Sequence, residues 1–445
     1  MLMSSAINTT RLSHDTYDAI IVGARIAGAA TAALLAQQGA RVLLLERARF
    51  PAPTVSCPIF FGNSLHVLER IGVLGDVEAI GAPRITYYGT RMPEFDLVTR
   101  LPKSHGRDYA YSIRREVLDT AILRRVQTFP NVTLLEGFDV REVVWSLGRV
   151  VGVRGRLRGG PEQTFSADAV IGADGKRSLV ARQVDAPVYD RIVGATAIFY
   201  AYYRNFAPLA EPSAVVYGDP QSMKGALVFD ADAGLTVMSV GVPAEKFDVA
   251  RKDPEGTIER VWRSIPELAE RGRNAERATP VMGQAPVDSF YRQSYGSGWA
   301  LVGDAGHYVD PITGQGINHA LRSAELFADA WARTRRRTGW MQAMAEYQRR
   351  RDAATRPMWE LVAFGAQMQQ VQQFEGPLQD LGIALSNALF RAIARQPRVA
   401  AQYVGMFSGA TPVRAFMNPV NLTRVLVEDT LRNELPRRAA SMIKR

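Results

Sequence analysis

The chain has 445 residues, 47 % of them apolar and 22 % charged, an ordinary balance for a folded globular protein. That length exceeds what one simple hydrophobic core organises, so two or three sub-domains are expected. The formal net charge of +10 favours anionic partners, phosphate-bearing cofactors among them, while the lack of any zinc-finger, homeodomain or single-strand-binding signature excludes nucleic acid as the expected partner.

Met1 to Thr16 is polar and has no apolar core of a secretory signal, so a flexible tail is expected. Asp18 to Val22 is a short apolar run, as in a buried parallel strand. Ala27 to Gln38 is rich in Ala and Leu and reads as a helix ended by Gly39; Arg41 to Leu45 is a second apolar strand. Together they form a βαβ opening. Cys57 follows. It is the one cysteine, so no intrachain disulfide can form, which fits a reducing cytoplasm. Ser64 to Ile71 and Arg115 to Phe129 carry helical patterns. Short strands are expected at 132–135, 140–145, 150–157, 163–165 and 168–171.

From Ile192 to Val242 the pattern changes to β-branched and aromatic runs at 197–203, 214–217, 226–229 and 235–242. The turn sequences Gly218-Asp219-Pro220 and Asp232-Ala233-Gly234 separate them, which predicts a mostly antiparallel sheet. A strand returns at 299–302 and a helix follows from Asn318. The remainder is helical in pattern, with breaks expected at Pro357, Gly376-Pro377, Pro397, Pro412 and Pro419. The densest basic clusters, Arg333 with Arg335 to Arg337 and then Arg349 to Arg351, read as solvated helix faces. Val371 to Phe374 and Leu381 to Ile393 are amphipathic and suit a cap over a pocket or the face of a homodimer. No run reaches about 18 apolar residues, so no membrane span is expected. The five histidines show no metal-ligand spacing, so no metal site is expected.

Three motifs carry chemistry. The first is Gly23-Ala24-Arg25-Ile26-Ala27-Gly28 between strand and helix, with Glu46 and Arg47 ending the next strand. A glycine turn of this kind lets a helix N-terminus approach a pyrophosphate, and a carboxylate at the second strand suits ribose hydroxyls. Arg25 replaces the middle glycine. It is read either as a charge-assisted phosphate contact or as a side chain pointing to solvent. The second motif is Asp168 to Gly175, ending Asp174-Gly175, then Arg177 and Ser178. The third is Gly303-Asp304-Ala305-Gly306-His307, then Pro311, then Gly314-Gln315-Gly316-Ile317-Asn318.

In this order and spacing the trio resembles the para-hydroxybenzoate hydroxylase-like flavoproteins, the class A FAD monooxygenases, whose relatives include geranylgeranyl reductases and flavin halogenases. The resemblance covers roughly residues 17 to 335. It implies an α/β fold in three parts. A Rossmann-type FAD-binding domain takes 17–80, 110–185 and 288–335. An inserted, mostly antiparallel β-sheet substrate domain takes 81–109 and 186–287. A C-terminal helical region takes 336–445, and 1–16 is the tail. It further implies non-covalent FAD. Gly23, Ile26, Ala27 and Gly28 lie at the diphosphate, Glu46 and Arg47 at the adenosine, and Gly303 and Asp304 at the ribityl chain. Pro311 lies near the flavin ring, and the amides of Gly314, Gly316, Ile317 and Asn318 face its pyrimidine edge. Arg115 matches the arginine that contacts the dinucleotide, with Arg114 its rival by one place. Asp174 and Gly175 bracket the pyrophosphate and help dock the nicotinamide.

The implied activity is that of an FAD-dependent monooxygenase. NADPH or NADH and O2 would hydroxylate or epoxidise an apolar aromatic or polyketide-like small molecule through a flavin hydroperoxide. The alternative is a reductase or dehydrogenase of the geranylgeranyl reductase type, for which Cys57 sits in the telling segment, though Pro58 follows it. Halogenation is a remote third, because Val261-Trp262-Arg263-Ser264-Ile265-Pro266 lacks both tryptophans of the halogenase motif at their places. A flavin-binding protein without turnover is the non-enzyme reading. On the strand at 197–203, Ile198, Tyr200 and Tyr202 share one face and Phe199, Ala201 and Tyr203 the other. One of the two lines the pocket, and Tyr200 and Tyr202 are the candidates there.

Overall fold

The computed structural model describes residues 16–219, 224–311, 314–334, 339–372 and 377–434. Of the expected tail only Thr16 is among them. It is no tail residue: it opens the first strand, Thr16–Val22, and pairs with Ser166.

The first sheet runs, in space, Tyr295–Gly296, Trp299–Leu301, Glu162–Gly172, Thr16–Val22, Val42–Glu46 and Val132–Glu136. From Trp299–Leu301 to Val132–Glu136 the neighbours are parallel. Ile20, Ile21, Leu43 and Leu44 are fully buried because helices and strands cover both faces. Helix Ile26–Gln37 is buried along nearly its whole length, so its alanines serve as packing surface against helix Gly316–Thr334. Gly39, at φ +79°, turns the chain out of that helix, a conformation that favours glycine.

The two strands expected at 163–165 and 168–171 are one, Glu162–Gly172. It changes partner at Ser166. Its first half pairs antiparallel with Arg149–Leu157 and its second half parallel with Thr16–Val22. The change in pattern reflects a change of neighbour, not a break in the strand.

The second sheet runs Glu276–Arg277, Thr196–Arg204, Thr236–Pro243, Lys224–Asp230, Ser213–Asp219, Tyr87–Met92 and Phe95–Arg100, with Met282–Gln284 also on Thr196–Arg204. All pairs are antiparallel except Ser213–Asp219 with Tyr87–Met92. One face packs on helices Pro254–Arg263 and Pro266–Arg271, through Phe199, Ala201, Tyr203, Met238 and Trp262. Period-2 alternation therefore turns Ile198, Tyr200 and Tyr202 the other way. Tyr200 and Tyr202 pack with Ile59, Phe61 and Tyr88.

The C-terminal helices are Trp340–Gln372, Pro377–Ala394, Pro397–Ser408, Val413–Phe416 and Pro419–Asp429. Three of them begin on proline, whose missing amide would be unsatisfied at a first turn anyway. Pro357 does not break its helix as expected; it lies inside Trp340–Gln372. An internal proline costs roughly 3 kcal/mol, and tertiary packing offsets it here. Met358 and Trp359 are buried, and the Thr355 hydroxyl meets Tyr291 Oη at 2.8 Å.

Arg351 corrects the solvated-face expectation for its cluster. It is 2 % exposed, donates to Tyr189 Oη at 2.9 Å and to the Ser294 hydroxyl, and pairs with Asp352. Arg335 to Arg337 lie outside the described residues, as do the side chains of Val371 to Phe374. Helix Pro377–Ala394 packs on Phe95–Arg100 at the far edge of the second sheet and leaves Leu381 and Leu385 exposed. None of its described residues lines the central cavity, so it does not cap the pocket.

Trp262 is fully buried against Tyr203 and Phe206 beneath the second sheet. Trp262→Ala should lower unfolding stability by about 3–5 kcal/mol, measured as a shift in urea midpoint. Folded protein of that variant should keep its flavin spectrum, because Trp262 lies on the face away from the cavity.

Candidate active site

A cavity of about 1350 Å³ lies between the two sheets. One end is built by the first motif. Gly23 has φ +100°, and a Cβ there would stand 2.6 Å from the Ala173 carbonyl oxygen; a Cβ on Gly28 would stand 1.8 Å from Gly23 O. Only glycine fits either place. The helix that starts at Ile26 has no side-chain cap and no acidic residue in its first turn. Gly23, Ile26 and Ala27 line the cavity, so the positive end of the helix dipole faces open space. That geometry fits a diphosphate.

Arg25 lines the cavity beside the glycine turn with its side chain 28 % exposed, and it is anchored as well. Its guanidinium donates to Asp119 Oδ2 at 2.9 Å and to the carbonyls of Ala52 and Pro53 at 3.2 and 3.1 Å. Arg115 donates to both oxygens of the same Asp119, at 3.0 and 3.2 Å. Arg115 lines the cavity, whereas Arg114 turns to Asp232 at 2.8 Å on the second sheet. Glu46 accepts from the amides of Ala24 and Ala48, both at 2.9 Å, which orients its carboxylate on the cavity wall. Each of its oxygens keeps a lone pair. Arg47 is exposed at the rim.

Asp174 Oδ2 accepts from the amides of Leu179 and Val180, at 2.6 and 3.3 Å, while Oδ1 is buried without a partner among the described residues. Burial raises its pKa. Gly175 lines the cavity at φ +78°. Gly303, at φ +58°, lies so close to Ala27 that a Cβ would meet it at 2.7 Å. Asp304 follows it into the cavity and makes no hydrogen bond to another described residue. Burial pushes its carboxyl up to about 6, with Lys176 and Arg115 pulling the other way.

The third motif closes the same side. Pro311 accepts from the Gly314 amide at 2.9 Å, and Gly316 and Ile317 bring the start of helix Gly316–Thr334 to the cavity. Gly314, at φ +65°, faces Cys57 Sγ. The Asn318 side chain turns away: its Oδ1 accepts from the Phe61 amide at 3.1 Å and from the Ser64 hydroxyl. Cys57 lines the cavity, and burial pushes its thiol up to about 12, so it stays protonated at neutral pH. Tyr200 lines the cavity and donates to Thr54 O at 2.9 Å. Tyr202 does not line it; it lies buried with its ring 6.1 Å from that of Tyr200.

Three lining residues were not anticipated. Lys176 donates to the Gln284 side-chain carbonyl and sits 5.0 Å above the Tyr308 ring, and Gln284 donates to Tyr308 Oη at 2.6 Å. Lys176 follows Asp174-Gly175 directly, so its place in the motif was the available signal. Gln284 and Tyr308 had none. His307 and His319 also line the cavity, ring to ring at 5.1 Å, and burial holds both below the usual histidine range, so they are neutral.

Asp304 generates a pH prediction. A carboxylate accepts a hydroxyl hydrogen bond more strongly than a carboxylic acid does. With its pKa near 6, ionisation is incomplete at pH 5 and nearly complete at pH 7.5. FAD affinity, measured by fluorescence quenching on reconstitution, should therefore rise across that interval. Asp304→Asn should flatten the rise, and Asp304→Ala should weaken binding at both pH values.

The family model of the FAD binding domain matches residues 16–364. Digeranylgeranylglycerophospholipid reductase 1 of Methanopyrus kandleri is 29 % identical over 316 residues, covering 68 % of this chain and 77 % of the relative. The solved structure of the flavin-dependent brominase Bmp2 superposes with a TM-score of 0.73 at 20 % identity, over 91 % of this chain and 98 % of that one. The structure of pqsL, a probable FAD-dependent monooxygenase from Pseudomonas aeruginosa, gives 0.67 at 23 % identity, over 80 % and 96 %. At these identities the two structures establish the fold. The family match over most of the chain establishes more: this chain belongs to the FAD binding domain family, and it is an FAD-dependent oxidoreductase of the para-hydroxybenzoate hydroxylase-like superfamily.

Proposed function

We propose that the protein is a monooxygenase that hydroxylates or epoxidises an apolar aromatic or polyketide-like small molecule with NAD(P)H and O2. One observation carries this reading. Ile198, Tyr200, Val216, Leu227, Phe229 and Val237 turn from the second sheet into the same cavity that Asp304, Pro311 and Gly316 enter. An apolar wall opposite the expected flavin end excludes water and orients a carbon skeleton. When bound, FAD would supply hydride acceptance from the nicotinamide and reactivity toward O2.

The chain's own residues bind and orient. The glycine turn and the first-turn amides at Ile26 and Ala27 would hold the diphosphate. Glu46 and Arg47 would take the adenosine end, Arg115 and Asp174 with Gly175 the middle, and Asp304 the ribityl hydroxyls. Pro311 would lie against the flavin. The amides at Gly316 and Ile317, at the start of a 19-residue helix, would stabilise negative charge on the pyrimidine edge.

A second reading is a reductase or dehydrogenase, and Cys57 favours it. The thiol lines the cavity beside Gly314. Halogenation has less support: in the stretch 261–266 Trp262 is buried in the core beneath the sheet, away from the cavity.

Turnover under 18O2 separates the readings. One labelled atom should appear in the product, and substrate should accelerate NAD(P)H oxidation. Product formed without oxygen, or without label at a non-exchangeable position, would replace oxygenation by the reductase reading. Cys57→Ala should keep both its FAD and its turnover; loss of turnover with FAD retained would point the same way.

A further inference from the structure

We propose that the cavity takes a flat, slender substrate bearing an anionic oxygen, with Lys176 receiving that oxygen and Gly218, Gly225 and Gly241 flooring the slot for the apolar body. This deepens the small-molecule reading above and rests on it.

The slot follows from strand register. On the cavity face, Gln284 pairs with Ile198, Ile198 with Gly241, Gly241 with Gly225, and Gly225 with Gly218. All five line the cavity. Strands lie about 4.8 Å apart, so the three glycines leave roughly 10 Å of bare sheet across two spacings. The next row on the same face, Tyr200, Ser239, Leu227 and Val216, keeps its side chains and forms one wall.

The fold does not require glycine at the centre of this row. Gly225 and Gly241 both lie outside the left-handed region. A Cβ on Gly225 would approach nothing closer than Tyr217 O at 3.6 Å, and one on Gly241 only a Thr196 methyl at 3.3 Å. Elsewhere in the strands the constraint is real: a Cβ would stand 1.9 Å from a backbone oxygen at Gly89 and 2.1 Å at Gly152. Glycine also weakens a strand. Space left open at a cost to the sheet, on a cavity wall, is space for a ligand.

The cation stands at the Gln284 end of the row. The Lys176 ammonium bonds the Gln284 side chain and covers the Tyr308 ring. It makes no ion pair with a described residue. Asp304 and Asp310 attract it from farther off, Arg177 repels it, and burial lowers its pKa. Three sources meet there: the loop after Glu162–Gly172, the second sheet and strand His307–Tyr308. A partly buried ammonium with donors to spare, at one end of an apolar slot, recognises a carboxylate or phenolate by a charge-assisted hydrogen bond.

The test is a titration of the FAD-loaded protein with 2-naphthoate and 2-naphthamide, followed by the flavin difference spectrum. The acid should bind at least about ten-fold tighter than the amide. Lys176→Met should erase that preference and Lys176→Arg should keep it. Gly225→Val should weaken both ligands, and the smaller Gly225→Ala should fall between, with FAD affinity unchanged in each. Equal affinity for acid and amide, binding of neither, or unaltered affinity in Gly225→Val overturns the proposal. So does a loss of FAD affinity in Lys176→Met, which would assign the ammonium to the cofactor diphosphate. The titration uses neither reductant nor oxygen, so its failure leaves the oxygenase reading standing, and absence of label from O2 leaves this result standing.

Discussion

Asp119 is a carboxylate with no exposed side-chain surface, held between two guanidinium groups. Arg25 reaches it from the dinucleotide turn and Arg115 from the helix Arg115–Gln127. A buried carboxylate is costly unless it is paired and hydrogen-bonded, and breaking such a pair costs about 3–5 kcal/mol. Asp119 therefore fixes both arginines, and with them the turn, the helix and the segment at Ala52 and Pro53 that Arg25 also holds. The departure from the glycine pattern at position 25 is thereby explained. The side chain is a strut on the cavity wall, anchored to Asp119, Ala52 and Pro53 while part of it stays exposed.

The next residue along completes the frame. Arg114 bonds Asp232 through its backbone amide and its side chain, both at 2.8 Å. Asp232 belongs to the turn before Thr236–Pro243, on the second sheet. Two adjacent arginines at one helix start thus bond opposite ways, Arg115 to Asp119 on its own helix, where Arg25 of the dinucleotide turn also bonds, and Arg114 to the sheet across the cavity. The spacing between the two walls is set by bonds at their seam, which keeps an apolar face opposite a polar one. The buried Arg351 does the same for the long C-terminal helix, tying it to Ser294 and Tyr189.

Much of the frame was legible because it depends on local chemistry. The βαβ opening, the strands at 196–204 and 236–243, and the glycines at 23 and 28 follow from hydrophobic period and from turns that only glycine can make. Errors arose where a neighbour overruled the local signal. Glu162–Gly172 looked like two strands because it serves two partners. Pro357 looked like a helix end, yet packing carries the helix through it. Arg351 looked solvated because charge alone gives no sign of burial.

The sequence by itself determined the cofactor class and the order of the parts, because a diphosphate at a helix N-terminus demands particular residues at close chain spacing. Which tyrosine reaches the cavity, where Arg25 points, and that Lys176, Gln284 and Tyr308 meet were decided only by tertiary structure. Those residues lie far apart along the chain, at 176, 284 and 308, the first on a loop and the other two on strands of separate sheets. No local preference couples them; their encounter is set by strand register and by how the two sheets face each other.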